Sequence, residues 1–151
     1  MDRATAERRK DSGGFFFLPF ISEFWVLPGF LSFFLLAVYL RTMWTYSQGT
    51  GNLLDPSGKL VATGYSGHGH GKNNCDLQHV PNVGPIPRGY WILGKPYDSK
   101  KVGPYAIPLK PVLETETFGR SAFLVHGDNG QGTASEGCII FPRRVRHMMM
   151  D

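Results

Sequence analysis

His126 closes the apolar run Phe123-Leu124-Val125 and is followed by Gly127-Asp128-Asn129. Cys138 sits behind Ser135-Glu136-Gly137 and opens the run Ile139-Ile140. Runs of this kind read as short strands, and neighbouring strands ending in one region would bring an imidazole and a thiol together. A thiol is a strong nucleophile only as thiolate, and a nearby imidazole is the usual means of making one. Gly127 and Gly137 permit close backbone approach. The Ser135-Glu136-Gly137 bend can aim the N–H groups of Gly137 and Cys138 at one oxygen, forming an oxyanion hole. Taken singly, each residue has a plainer use: Cys138 as a buried structural thiol, His126 as a satisfied core or surface histidine. Taken together, they point to a cysteine enzyme.

The elements that would position this pair are short strands and turns. Gly 19 and Pro 11 in 151 residues favour a loop-rich β domain over a helical bundle, since both residues are poor inside helices. Met43 to Tyr46 reads as a first strand. Leu53-Leu54 and Lys59 to Tyr65 read as a hairpin about the Asp55-Pro56-Ser57-Gly58 turn. Tyr90 to Gly94 follows the rigid Pro85-Ile86-Pro87-Arg88-Gly89 turn. Tyr105 to Leu109 is a further strand, which Pro108 places at a sheet edge. Ala122 to Val125 and Cys138 to Phe141 bracket the proposed site. No repeat is evident, nor any amphipathic helix outside the N-terminal part. The expected fold is mainly β, a small sandwich or barrel-like sheet.

Three segments divide the chain: a basic, disordered N-terminus at 1–14, an apolar stretch at 15–41 and the domain at 42–151. Within the apolar stretch, 24–40 is near the lower limit for a transmembrane helix. Arg8, Arg9 and Lys10 precede it, which would leave the domain outside the cytoplasm. A signal peptide or a docking segment are the competing readings. The net charge of +4 comes largely from that cluster and from Arg143, Arg144 and Arg146. These read as solubility and membrane-flank charges rather than nucleic-acid contacts, and no nucleic-acid-binding motif accompanies them. Cys75 reads as incidental or structural, although it could pair with Cys138 in an oxidising compartment. His68, His70, Cys75 and His79 are suitable ligand types without a zinc-like spacing, so neither metal nor cofactor is expected.

The His-Gly and Ser-Xaa-Gly-Cys elements resemble the active-site signature of L,D-transpeptidases with the YkuD-type catalytic domain. The wider order of motifs is closer to the Tlde1 family. It comprises Tyr65-Ser66-Gly67, Asn73-Asn74, Val83 to Gly89, His126-Gly127-Asp128-Asn129 and Ser135 to Ile139. The resemblance covers Trp44 to Arg146. It implies an L,D-transpeptidase-like catalytic domain and a type VI secretion effector acting on peptidoglycan stem peptides in the periplasm. An immunity protein and the secretion machinery would be its partners. It also implies Cys138 as nucleophile and His126 as base, with Tyr65, Ser66 and Asn74 lining a substrate groove. Glu136 stands where L,D-transpeptidases often carry a second histidine, and the loop from His126 to Cys138 is shorter than theirs. Both departures tilt the expectation toward cleavage or exchange over cross-linking.

Other roles rest on residue chemistry alone. Asp128 or Asn129 could orient His126, as could a backbone carbonyl. Ser135 would shape the loop or bind substrate. Arg143 or Arg144 could attract a stem carboxylate, or belong to a solvated basic tail. A cell-wall cysteine amidase or endopeptidase is disfavoured, because there the cysteine usually precedes its histidine and starts a helix. A non-catalytic, membrane-tethered wall-binding module would instead use Trp44, Tyr65, Tyr90 and Trp91 as a saccharide platform.

Overall fold

A computed structural model describes residues 14–18, 43–112 and 114–151. The basic residues 1–13 and the candidate membrane segment at 24–40 lie outside the described residues. Among the described residues, no helix is long and apolar enough to cross a membrane.

The protein is mainly β. Its strands are β1 (Gly14–Leu18), β2 (Trp44–Ser47), β3 (Asn52–Leu54), β4 (Leu60–Thr63), β5 (Tyr65–Ser66), β6 (Tyr90–Leu93), β7 (Tyr97–Ser99), β8 (Gly103–Pro111), β9 (Leu124–His126) and β10 (Ile139–Ile140). A short helix, α1 (Arg143–Met148), follows them. The strand order is β4-β3-β2-β1-β6-β8-β9-β10-β5, with β7 paired to β8. The two ends of that path, β4 and β5, are joined by the single residue Gly64, so the sheet must curl back on itself into a half-barrel.

Alternation along the strands explains the core. Trp91 and Leu93, Ile107 and Leu109, Phe123 and Val125, and Ile139 and Phe141 all point inward, where they meet Tyr46, Leu53 and Ile86. Trp91 and Tyr46 are fully buried, and edge-on ring contacts tie Trp91 to Phe123 and Tyr46 to Phe141.

The structure departs from expectation in four places. The apolar stretch begins as a strand, since β1 pairs antiparallel with β2 and parallel with β6. The hairpin turn forms as expected, with Gly58 N–H donating to the Asp55 carbonyl at 2.8 Å. Its returning strand, however, breaks at Gly64 into β4 and β5, which serve opposite ends of the sheet. Pro108 lies inside the sheet, paired with Leu124 of β9. Its missing N–H is tolerated because the facing strand is interrupted there: β6 ends at Leu93 and β7 begins at Tyr97, and Gly94 N–H donates to the Pro108 carbonyl at 2.7 Å. Finally, the basic residues near the C-terminus form α1, whose Val145, with Met149 just beyond it, joins the core.

Candidate active site

β9 and β10 run parallel with Ile139 beside Val125 and Ile140 beside His126. Cys138 therefore stands next to Leu124, two positions along from His126. The core takes Phe123, Val125, Ile139 and Phe141, so Leu124, His126, Cys138 and Ile140 share the opposite face. The two candidate catalytic side chains thus lie on one face of adjacent strands, with Cα atoms about 8 Å apart by ordinary strand spacing. They do not touch. The thiol's hydrogen-bond partner is the Ala122 carbonyl at 3.9 Å, and the His126 ring bonds through Nδ1 to the Gly127 carbonyl at 2.8 Å.

That second contact settles the role of the ring nitrogens. A carbonyl only accepts, so Nδ1 carries the proton and the neutral ring leaves Nε2 as its basic nitrogen. Burial holds the His126 pKa below the ordinary imidazole value. Its bond to Gly127 opposes this, the Arg146 charge adds to it and Asp128 opposes it. Burial pushes the Cys138 thiol up; the Leu124 N–H, Lys101 and Arg120 pull it down, and Glu136 pushes it up. Both shifts favour the neutral forms, an imidazole and a thiol, over an ion pair.

Cys138 faces an open cleft of about 570 Å³. Its wall comprises the segment Gly119 to Leu124, the Glu136-Gly137 turn, Tyr97 and Ser99 of β7, and Lys101 and Val102 between β7 and β8. His126 is 2% exposed and lies behind this wall rather than in it.

The turn presenting Cys138 is braced by two buried serines. Ser135 Oγ accepts from Gly67 N–H at 2.8 Å and from Gly137 N–H at 3.1 Å, and donates to the Cys138 carbonyl at 2.6 Å. Ser66 Oγ donates to the Gly137 carbonyl at 3.1 Å and accepts from Ile86 N–H at 2.8 Å. Ser66 and Ser135 are thus framework groups of the turn that presents Cys138. Because Ser135 occupies the Gly137 N–H, that N–H is not the free oxyanion donor expected from sequence.

The remaining candidates lie elsewhere. Asp128 accepts from the Tyr65 hydroxyl and, through Oδ2, from Gly130 and Gly132 N–H, both at 3.0 Å. Tyr65 also accepts from Ala134 N–H at 3.0 Å. Together they clasp the loop between β9 and the Cys138 turn. Burial first, then the Asp128 contact, push the Tyr65 hydroxyl up to about 12. Asn129 caps the same loop by bonding to Thr133 and Gln131. The group bonded to His126 is accordingly the Gly127 carbonyl, not Asp128 or Asn129. Asn74 caps the 3-10 turn Cys75–Leu77, and Arg143 on α1 donates to His147; neither lines the cleft. Trp91 is fully buried and Tyr65 is engaged with Asp128, so the four aromatics expected as a saccharide platform do not form one. Cys75 and Cys138 are both free thiols.

Sequence reasoning missed two arginines. Arg120 lines the cleft beside Cys138. Arg146, 4% exposed, donates from α1 to the carbonyls of Phe141, Pro104 and Tyr105 and packs against Gly127. Neither carries a local motif: Arg120 is set by carbonyls distant in sequence, and Arg146 by those of Pro104 and Tyr105 as well as the nearby Phe141.

No curated protein and no solved structure matches the chain. Among known families, the Tlde1 domain matches residues 61–151, a span that holds His126, Cys138 and both serines, and the chain belongs to the Tlde1 domain family.

Proposed function

We propose that the protein is a peptidoglycan-modifying cysteine enzyme that acts on tetrapeptide stems as an L,D-carboxypeptidase or by L,D-transpeptidase exchange, on an L,D-transpeptidase-like scaffold. The observation that carries this reading is the Cys138 thiol, facing an open cleft on the strand face it shares with a neutral, Nδ1-anchored His126. Membership of the Tlde1 family supports an effector delivered to the periplasm of a target cell. The domain would then meet the wall there, with an immunity protein protecting the producer.

In this reading His126 Nε2 takes the Cys138 proton as sulfur attacks the carbonyl carbon of the third stem residue. An imidazole reaching along the strand, or one intervening water, spans the gap between them. The carbon–nitrogen bond breaks, and His126 returns the proton to the departing D-alanine amine. A thioester to Cys138 remains. Water then releases a tripeptide carboxylate and restores the thiol; a D-amino acid amine gives exchange instead. Lys101 places a positive charge on the cleft rim, suited to the stem's terminal carboxylate. Loss or replacement of the terminal D-alanine would remove the donor for ordinary wall synthesis.

The test incubates the full chain with tetrapeptide-bearing muropeptides under reducing conditions and reads the products by mass spectrometry. Hydrolysis removes one alanine residue, exchange substitutes it, and cross-linking gives a dimer. Cys138→Ala should abolish all three. An unchanged substrate with wild type and variant alike overturns the reading.

A further inference from the structure

Arg120 is half-buried, yet among the described residues no carboxylate pairs with it. Its guanidinium is instead held by backbone oxygens. Nη1 donates to the Gln78 carbonyl and to that of Pro85 at 2.7 Å, and Nη2 to Gly84 at 2.9 Å and more weakly to Glu136 at 3.5 Å. Its cationic carbon lies 5.2 Å from the centre of the Phe123 ring. Four carbonyls and a ring face fix the group without neutralising it.

The glycine before the cysteine is what lets it approach. Gly137 has φ +130, and a Cβ there would lie 2.1 Å from Arg120 Nη2. The guanidinium therefore occupies the space of the missing side chain, against the backbone that carries Cys138. Both residues line the same cleft. We infer that Arg120 is the positioning residue of the nucleophile: it locks the Glu136-Gly137 turn and holds an unpaired positive charge beside the sulfur, favouring the thiolate that forms when the proton leaves.

Several other charged or titratable groups face the sulfur. Lys101 approaches from the β7–β8 turn and Glu136 from the nucleophile turn itself, while His126 lies two positions along β9. Burial dominates and raises the thiol pKa, while the Leu124 N–H, then Lys101 and then Arg120 act to lower it. Lys101 is exposed and hydrated, so its influence is the more readily screened. Arg120 is the one held in place.

The inference rests on Cys138 being the nucleophile but not on the substrate. It is therefore read by alkylation with iodoacetamide across pH, following the Cys138-containing peptide by mass so that Cys75 does not interfere. In Arg120→Gln the alkylation midpoint should rise by about one pH unit, which slows reaction about tenfold at a fixed pH below it. In Arg120→Lys, which keeps the charge but not the fork, the midpoint should fall between wild type and Arg120→Gln. A folded Arg120→Gln with the wild-type midpoint overturns the assignment. So does loss of the folded circular-dichroism spectrum in both variants, which would make Arg120 a framework residue alone. Muropeptide turnover failing while the midpoint shifts as stated would instead count against the proposed substrate.

Discussion

Ser135 shows how much of this site is held by one small side chain. A single buried hydroxyl receives two N–H groups and donates to the carbonyl of Cys138. Ser135→Ala leaves the Gly67 and Gly137 N–H groups and the Cys138 carbonyl without this partner. The expected loss is about 1–3 kcal/mol of stability, read by urea denaturation. It should also bring a marked fall in Cys138 turnover, because the turn is no longer fixed. A Ser135→Ala chain with full activity would mean that the turn is held by Ser66 and Arg120 alone. The serine and cysteine were legible in the sequence because their spacing forms a compact motif. Arg120 was not: its partners, Gln78, Gly84 and Pro85, lie some 35 to 42 positions away, and no local pattern encodes a guanidinium resting on a glycine.

At the scale of elements, the strands most visible in the sequence are short apolar runs bounded by turn residues. Tyr90 to Leu93 and Phe123 to Val125 mark β6 and β9 in this way, and the fold buries alternate members of them, Trp91 with Leu93 and Phe123 with Val125. β1 was not visible: its five residues open a longer apolar run that shows no alternation, and its pairing with β2 and β6 is fixed by partners distant in sequence. α1 was hidden because its six residues carry four basic side chains, and two inward-facing apolar groups around them are too few to show a helical period. The break at Gly64 was also missed, though its physical cause is clear. A Cβ at Gly64 would lie 2.1 Å from the Ile140 carbonyl oxygen and 2.7 Å from the Phe141 ring. Gly64→Ala must push β10 away from the β4–β5 junction, at an expected cost of about 1–3 kcal/mol or more. Gly58→Ala, at φ +83 with nothing within 4 Å, should cost only its backbone strain of about 1–2 kcal/mol. Comparing the two denaturation midpoints tests whether sheet closure depends on this contact, and equal losses would argue that it does not.

For the whole molecule, His126 and Asp128 set the direction of the pH response. The folded pKa of His126 lies below its unfolded value. As pH falls through the ordinary imidazole value near 6.5, the unfolded chain takes up protons that the folded chain resists, and stability declines. Asp128 is lowered chiefly by its contact with Tyr65, so its contribution is present above the ordinary carboxylate value and lost at lower pH. Being exposed, it should contribute little. The melting temperature should therefore fall from pH 7 to pH 5, and less steeply in His126→Gln, where no imidazole titrates at that position. Equal slopes in the two proteins would show that His126 is not held neutral by burial.

The curl of the sheet also governs when chemistry can first occur in the life of the chain. β10, which follows Cys138, lies between β9 and β5, and β1 lies between β2 and β6, so the late run β6-β8-β9-β10 is flanked on both sides by early strands. Contacts so distant in sequence make folding slow, because long loops must close before any pairing rewards them. No N-terminal fragment holds the site, since Cys138 and the α1 arginine packed against Gly127 come last. In an unfolded chain the thiol lacks both the burial that raises its pKa and the Arg120 charge, and it joins His126 and Arg120 only once the final strand has docked. On the function proposed above, this delay withholds the site until the sheet has closed.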